Sequence, residues 1–255
     1  MFTRRQILIA AAVTPWLATA QERPPMQKPW NIAHRGGAKL NPENTMAAFE
    51  KAIALGCDGF ELDIHFSRDK DLVVIHDDTL DRTSHKPGVV HDLTLAELKA
   101  ADPSIPSLRE TLKAAHGHCK VLVEIKHPSH GPRYDGIEAV LLKQLAEEAM
   151  LDQVVVISFE RQSLKILREL NATVQTGLLV GGQTDVAAAQ KELGCNWIAP
   201  HHGVVDRDYV DKAHALGLRV NTWTVNDEVN MRRMLESGCD SITSDQPDLL
   251  KRILS

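Results

Sequence analysis

Short apolar runs alternate with amphipathic stretches along most of this 255-residue chain. The apolar runs predict strands over residues 31–34, 58–64, 72–76, 120–126, 153–158, 175–180, 196–199, 219–224 and 240–244. Most are apolar on both faces, as in a parallel sheet covered on both sides. Between them, apolar residues recur at helical spacing: Met46, Phe49 and Ile53 share one face, as do Leu108, Leu112 and Ala115, and Val186, Ala189 and Leu193. Thr94 with Glu97, and Ser107 with Glu110, form capping boxes that mark helix starts. One junction recurs: a helical segment stops at glycine, a cysteine follows, and a strand begins, at Gly56-Cys57, Gly194-Cys195 and Gly238-Cys239, with Gly217-Leu218 as a cousin. The glycine supplies a left-handed helix end. Repeated strand–helix units of this kind predict an α/β fold, a TIM-type (β/α)8 barrel with a small inserted segment.

Nine strand candidates compete for eight places. The stretch between Ile64 and Val73 is too short for a helix, so 58–66 and 72–76 should form a hairpin-like pair, with Asp69-Lys70-Asp71 in its turn. One of the two is then an addition to the barrel. The connection over 77–117 is long and is expected to rise above the barrel as the insertion.

Composition is that of a globular protein, 43% hydrophobic and 25% charged, with a net charge of −5. No basic patch stands out, which argues against nucleic acid as a partner. The N-terminus differs in kind. Arg4-Arg5, the apolar run Ile7 to Val13 and the small-x-small site Ala18-Thr19-Ala20 read as a secretory signal over residues 1–20. The run is too short for stable membrane insertion. The arginine pair resembles a twin-arginine leader, and a plain secretory signal is the alternative. Residues 21–29 read as a linker, leaving 30–255 for the barrel and an exported, periplasmic setting. Three of the four cysteines occupy the same strand-entrance position, which suggests small buried residues rather than disulfides.

Four polar clusters stand at predicted strand ends, the face where barrel active sites lie. His34-Arg35-Gly36 follows the first strand, and Arg35 offers a planar fork for phosphate oxygens. On its own this triplet reads equally as a loop histidine. Glu61 and Asp63 are two apart on a strand and so share a face. Burying two like charges together is costly without a cation between them, so a hard divalent ion with oxygen ligands is expected. His76 ends a further apolar strand, and two histidines beside a carboxylate pair suggest a general acid and a general base. Glu124 and Lys126 also share a face. Glu124 can complete a three-carboxylate metal site and Lys126 can neutralise a phosphate, or the two are a simple ion pair.

Taken in order, His34-Arg35-Gly36, Pro42-Glu43-Asn44-Thr45, Glu61-x-Asp63, His76-Asp77, Glu124-x-Lys126, Ser158-Phe159 and Trp223-Thr224-Val225-Asn226 resemble the glycerophosphodiester phosphodiesterase family, over about residues 30 to 250. The resemblance implies metal-dependent hydrolysis of glycerophosphodiesters to glycerol 3-phosphate and an alcohol. It implies Glu61, Asp63 and Glu124 as ligands of one Mg2+ or Ca2+, and His34 and His76 as the catalytic pair. Arg35 and Lys126 would hold phosphate, Asn44 would bind substrate and support the site, and Trp223 would wall the head-group side. The partner is then a small-molecule substrate. Near the C-terminus the family usually has Thr-Asp-Arg-Pro, whereas this chain has Thr243-Ser244-Asp245-Gln246-Pro247. That change is expected to displace the acid and touch only a local loop. Two other readings stand beside this one: a lysophospholipase D-like phosphodiesterase, which the 4% aromatic content weighs against, and a non-catalytic exported binding protein.

Overall fold

The computed structural model describes residues 28–255. The leader expected over 1–20, and all but the last two residues of the linker expected over 21–29, lie outside the described residues. In chain order the strands are β1 (Trp30–Ala33), β2 (Gly59–Phe66), β3 (Leu72–Val74), β4 (Lys120–Ile125), β5 (Val154–Ser158), β6 (Gln175–Val180), β7 (Trp197–Pro200), β8 (Arg219–Thr222) and β9 (Ser241–Ser244). Eight of them run parallel in the order β1-β9-β8-β7-β6-β5-β4-β2, and β1 closes onto β2. The ninth, β3, pairs antiparallel with the end of β2, Phe66 opposite Leu72. This is the hairpin that the short spacing demanded, and Lys70 in its turn has φ 65°.

The helices are α1 (Met46–Ala54), α2 (Asp81–Ser84), α3 (Leu95–Ala101), α4 (Leu108–Ala115), α5 (Ile137–Glu147), α6 (Arg161–Leu170), α7 (Val186–Leu193), α8 (Arg207–Ala215), α9 (Glu228–Ser237) and α10 (Pro247–Leu254). Side chains at their N-caps, among them Thr45, Asp185, Asp206 and Asp227, accept from the first-turn backbone. Both expected capping boxes are present. Gly194 and Gly238 end their helices in the left-handed conformation, as their position before a strand required. All four cysteines are free, and burial pushes the Cys57 thiol up to about 12.

Side chains alternate across each strand and fill two layers. On β2, Phe60, Leu62 and Ile64 point outward into the core shared with the helices. Glu61 and Asp63 are the intervening residues and therefore point into the barrel. Gly59, at the start of β2, has no room for a side chain: a Cβ there would lie 2.6 Å from the Lys120 carbonyl oxygen. The lower barrel is plugged by Ile32, Leu122, Val155, Ile157, Leu179, Trp197 and Ala199. Trp30 packs on Trp197 at 5.0 Å between ring centres, and the Trp197 indole N–H donates to Gln175 (2.9 Å).

The segment between β3 and α4 carries α2 and α3 and has a small core of its own, with Val73, Ile75, Leu80, Val90, Leu98 and Ile105 packed together. Within the span 77–117, α4 is a ring helix. Its Leu108, Leu112 and Ala115 enter the main core, so the chain has returned to the barrel by residue 108.

Phe60 is fully buried and stacks on Phe49 at 4.5 Å. Phe60→Ala should cost about 3–5 kcal/mol of unfolding free energy. A denaturant midpoint unchanged from the parent, at equal slope, would contradict this layer assignment.

Candidate active site

Parallel strands deliver their C-terminal ends to one mouth. His34 leaves β1 there, Glu61 and Asp63 ride up β2, and His76 follows β3. Glu124 and Lys126 ride up β4, Phe159 follows β5, and Trp223 follows β8. One cavity is lined by His34, Arg35, Glu61, His76, Glu124, Lys126, Phe159 and Trp223, with Ile157 and Leu179 at its base. The fold thus brings all four of the polar clusters at predicted strand ends to one place.

Ligand oxygens of Glu61, Asp63 and Glu124 all lie within 4.8 Å of one another, and the three residues are buried. It is the one such cluster of possible metal ligands among the described residues. Sheet register explains the closeness: Asp63 on β2 sits directly beside Glu124 on β4. Two cations partly balance the cluster. Lys126 Nζ is 3.0 Å from Glu124 and 3.7 Å from Asp63, and Arg35 Nε is 3.5 Å from Asp63. Burial, then repulsion from Asp63 and Glu124, raises the Glu61 carboxyl well above its ordinary range. Burial and Asp63 push Glu124 up to about 7. Asp63 goes down: burial opposes its charge, but Lys126 and Arg35 outweigh burial. Burial likewise works against the charge of Lys126, and Glu124 and Asp63 overcome it, so its ammonium is retained more firmly than usual. A compact, buried, all-oxygen set whose carboxyls hold their protons more tightly than free ones suits a hard divalent cation, which would take the place of those protons.

Each histidine is backed by a carboxylate. His34 Nδ1 is 2.6 Å from Asp245, and His76 Nδ1 is 2.6 Å from Asp77. The Nε2 atoms face the cluster. His34 Nε2 lies 3.8 Å from Glu61, and His76 Nε2 lies 3.2 Å from the Lys126 ammonium. An ammonium can only donate, so His76 Nε2 accepts there and its proton sits on Nδ1, toward Asp77. Burial lowers the His76 pKa. The expectation that the C-terminal change leaves the site untouched is corrected here. Counted back from Pro247, Ser244-Asp245-Gln246-Pro247 keeps the acid one residue before the altered position, and that acid holds His34. Asn226 in turn donates to Asp245 (2.6 Å) and accepts from its backbone N–H (2.9 Å).

The His34-Arg35-Gly36 turn is tight because its backbone is unusual. Arg35 has φ 50°, Gly36 has φ 81°, and a Cβ on Gly36 would lie 2.6 Å from the Ala48 Cβ in α1. The turn aims the Arg35 backbone N–H at Glu61 (3.0 Å) and its guanidinium at Glu43 (3.0 Å). Asn44, expected at the substrate, does not line the cavity with the two histidines. It is buried and donates to Asp63 (2.9 Å), so it orients a carboxylate of the cluster. Trp223 does line the cavity; its indole N–H donates to the Ala199 carbonyl (2.7 Å), and Phe159 meets it edge-on at 5.5 Å. The residue pattern alone gave no role to Phe159, Asp77, Glu43, Arg82 or His65. His65 is buried on β2, bonded to Tyr134 (2.8 Å) and to the His76 carbonyl (3.1 Å), and burial depresses its pKa to about 4.

The raised Glu124 pKa makes a testable statement about stability in the absence of cations. A carboxyl whose pKa rises on folding adds stability that is complete below its unfolded value, about 4.5, and is lost as pH climbs through about 7. His65, His76 and His127, whose pKa values fall on folding, act in the opposite sense, so the measurement is a difference. In chelator, the stability of the parent relative to Glu124→Gln should fall between pH 5 and pH 8. A difference that stays flat over that range would refute the buried-carboxylate account.

A sequence model of the glycerophosphoryl diester phosphodiesterase family matches residues 34–249. The chain is 35% identical over 231 residues to a glycerophosphodiester phosphodiesterase of Caldanaerobacter subterraneus, covering 86% of this chain and 95% of that one. Among solved structures, a putative glycerophosphodiester phosphodiesterase from Galdieria sulphuraria is 27% identical with a TM-score of 0.81, over 89% of this chain and 97% of that one. A phosphodiesterase from Oleispira antarctica, solved in complex with the product sn-glycerol-3-phosphate, is 26% identical with a TM-score of 0.77, over 87% and 94%. The chain belongs to the glycerophosphoryl diester phosphodiesterase family, a family of phosphoric diester hydrolases.

Proposed function

We propose that the chain hydrolyses glycerophosphodiesters to glycerol 3-phosphate and an alcohol, with one divalent cation, Mg2+ or Ca2+, on Glu61, Asp63 and Glu124. The observation that carries this reading is the meeting, on one cavity, of a buried three-carboxylate cluster, two cationic groups and two carboxylate-backed histidines. The product held by the Oleispira antarctica relative supports it. A divalent cation held there would act as a Lewis acid on the phosphoryl group.

The chain's own residues do the rest. Arg35 and Lys126 hold the phosphate oxygens, the first as a planar fork and the second as a point charge. His34 and His76 present Nε2 to the cavity and act as the acid–base pair: as the new P–O bond forms, one takes the proton of the attacking water or of the substrate's own glycerol hydroxyl, and as the old P–O bond breaks the other protonates the departing alkoxide; where the glycerol hydroxyl attacks, water then opens the cyclic phosphate. Asp245 and Asp77 hold the rings so that Nε2 stays turned inward. The edge-on pair of Phe159 and Trp223 forms an apolar wall for the alcohol end. The arginine pair and apolar run of residues 1–20 support the further proposal that the enzyme works outside the cytoplasm, in the periplasm.

The test is release of glycerol 3-phosphate from glycerophosphocholine by the chain from Gln21, after chelation and after Mg2+ or Ca2+ is restored. Activity should vanish with chelator and return with the ion. His34→Ala and His76→Ala should each lower the rate by about 10²–10⁴. Turnover in chelator, or full activity in both variants, would refute the assignment. Release from lysophospholipids alone would favour a lysophospholipase D-like activity, and cation binding without turnover on either substrate would favour a binding role.

A further inference from the structure

The two histidine–carboxylate pairs are built differently. Asp245 hangs from the barrel itself and is fixed by Asn226, a neighbouring barrel-loop residue. Asp77 sits at the start of the inserted segment, beyond β3, and its side chain is bonded to His76 on one side and to Arg82 on the other. Arg82 lies in α2, away from the cavity lining. Its Nε donates to Asp77 Oδ2 (2.6 Å), and one terminal nitrogen donates to Asp77 Oδ1 (3.2 Å). The same guanidinium donates twice to Glu43, at 2.6 and 3.0 Å. Glu43 also accepts from Arg35 (3.0 Å). One planar cation thus joins two carboxylates, and each carboxylate holds a different working group.

We infer that Arg82 is a positioning residue: from the inserted segment it clamps Asp77 to Glu43, and so fixes His76 and Arg35 relative to each other across the mouth of the cavity. The inference rests on the reaction proposed above. Geometry favours arginine specifically, because only a rigid fork with donors on two edges serves two carboxylates in this way, and a lysine ammonium offers a single point. Nearly half of the Arg82 side chain is exposed (47%). Ion pairs that exposed add little to stability, so the clamp should register in turnover far more than in folding. Displacements of about 1 Å in such supporting groups slow catalysis steeply.

The experiment compares the parent with Arg82→Ala, Arg82→Lys, Asp77→Asn and the Asp77→Asn/Arg82→Ala double variant, on glycerophosphocholine with saturating Mg2+ or Ca2+. Arg82→Ala should lower kcat/KM about 10–100-fold, by analogy with groups that orient metal ligands from outside. Its thermal midpoint should stay close to that of the parent. Arg82→Lys should recover little, whereas added ethylguanidinium should restore part of the Arg82→Ala rate. The double variant should be little worse than Asp77→Asn alone, because removing the Asp77 carboxylate already breaks the link from Arg82 to His76. Parent-like activity in Arg82→Ala, or losses that simply multiply in the double variant, would overturn the inference. If Arg82→Ala does not fold, Arg82→Lys, which keeps the stem and the charge, carries the same comparison.

A second readout needs no turnover. The downfield Nδ1–H proton of His76, assigned by its loss in Asp77→Asn, should be sharp in the parent and broadened in the Arg82 variants. An unchanged resonance would sink the positioning role even with an inactive parent, whereas an inactive parent with a resonance sensitive to Arg82 would sink only the proposed reaction.

Discussion

Three carboxylates held out of water at one end of a barrel dominate the energetics of this molecule. An isolated buried charge costs several kcal/mol, and like charges side by side on neighbouring strands repel further. Asp63 and Glu124 are such neighbours in the sheet register, and Glu61 joins them from the same face of β2. The fold meets this cost in two ways. It brings Arg35 and Lys126 onto the cluster, and it lets Glu61 and Glu124 hold protons more tightly than free carboxyls do. On the proposed reaction a divalent cation would do the same work and displace those protons. The cluster is therefore a destabilising element of the bare chain and, on the proposed reaction, the place where an ion would bind.

The supporting groups follow from that centre. Asn44 fixes Asp63, the strained turn of Arg35 and Gly36 brings a backbone N–H onto Glu61, and Lys126 touches both Glu124 and His76. Around this polar knot the histidines are oriented from outside by Asp245 and Asp77. One of these acids is anchored in the barrel and the other in the insertion. The insertion is thus joined to the site by charge as well as by chain connection, and its own apolar core includes Leu80, the residue just before α2.

What the residue pattern reveals and what it hides divide along physical lines. Strand alternation is a local property, so spacing alone places Glu61 with Asp63, and Glu124 with Lys126, on common faces. The hairpin of β2 and β3 follows from a spacing too short for a helix, and the glycine helix ends follow from the left-handed backbone they adopt. Partners far apart in the chain are a different matter. Asp245 lies 211 positions from His34 and Arg82 lies 39 from Glu43; no periodicity links them, and only closure of the barrel and folding of the insertion bring them together. Asp245 shows this well. Judged as part of a local loop it is dispensable, and judged in space it holds a histidine of the pair. The motif around Asn44 places it at the site, but its left-handed backbone, φ 55°, turns the amide to Asp63 rather than into the cavity. That turn is invisible in the spacing of its neighbours.

The cavity is two-sided, and the division runs along the chain. Every charged group on it comes from the first part of the barrel, from the ends of β1 to β4, whereas Ile157, Phe159, Leu179 and Trp223 come from β5 to β8. A charge facing an apolar wall loses less of its field to water than one facing solvent, so the second half strengthens the first without adding charge to it. On the proposed reaction this arrangement also sets direction. The anionic phosphate is drawn to the side of Arg35 and Lys126, and the uncharged parts of the alcohol find contact area only opposite, against Phe159 and Trp223. Exposed aromatic rings tolerate many partners because they offer surface rather than directed hydrogen bonds, so the apolar half should shape affinity for the alcohol while the charged half dictates which bond is cleaved.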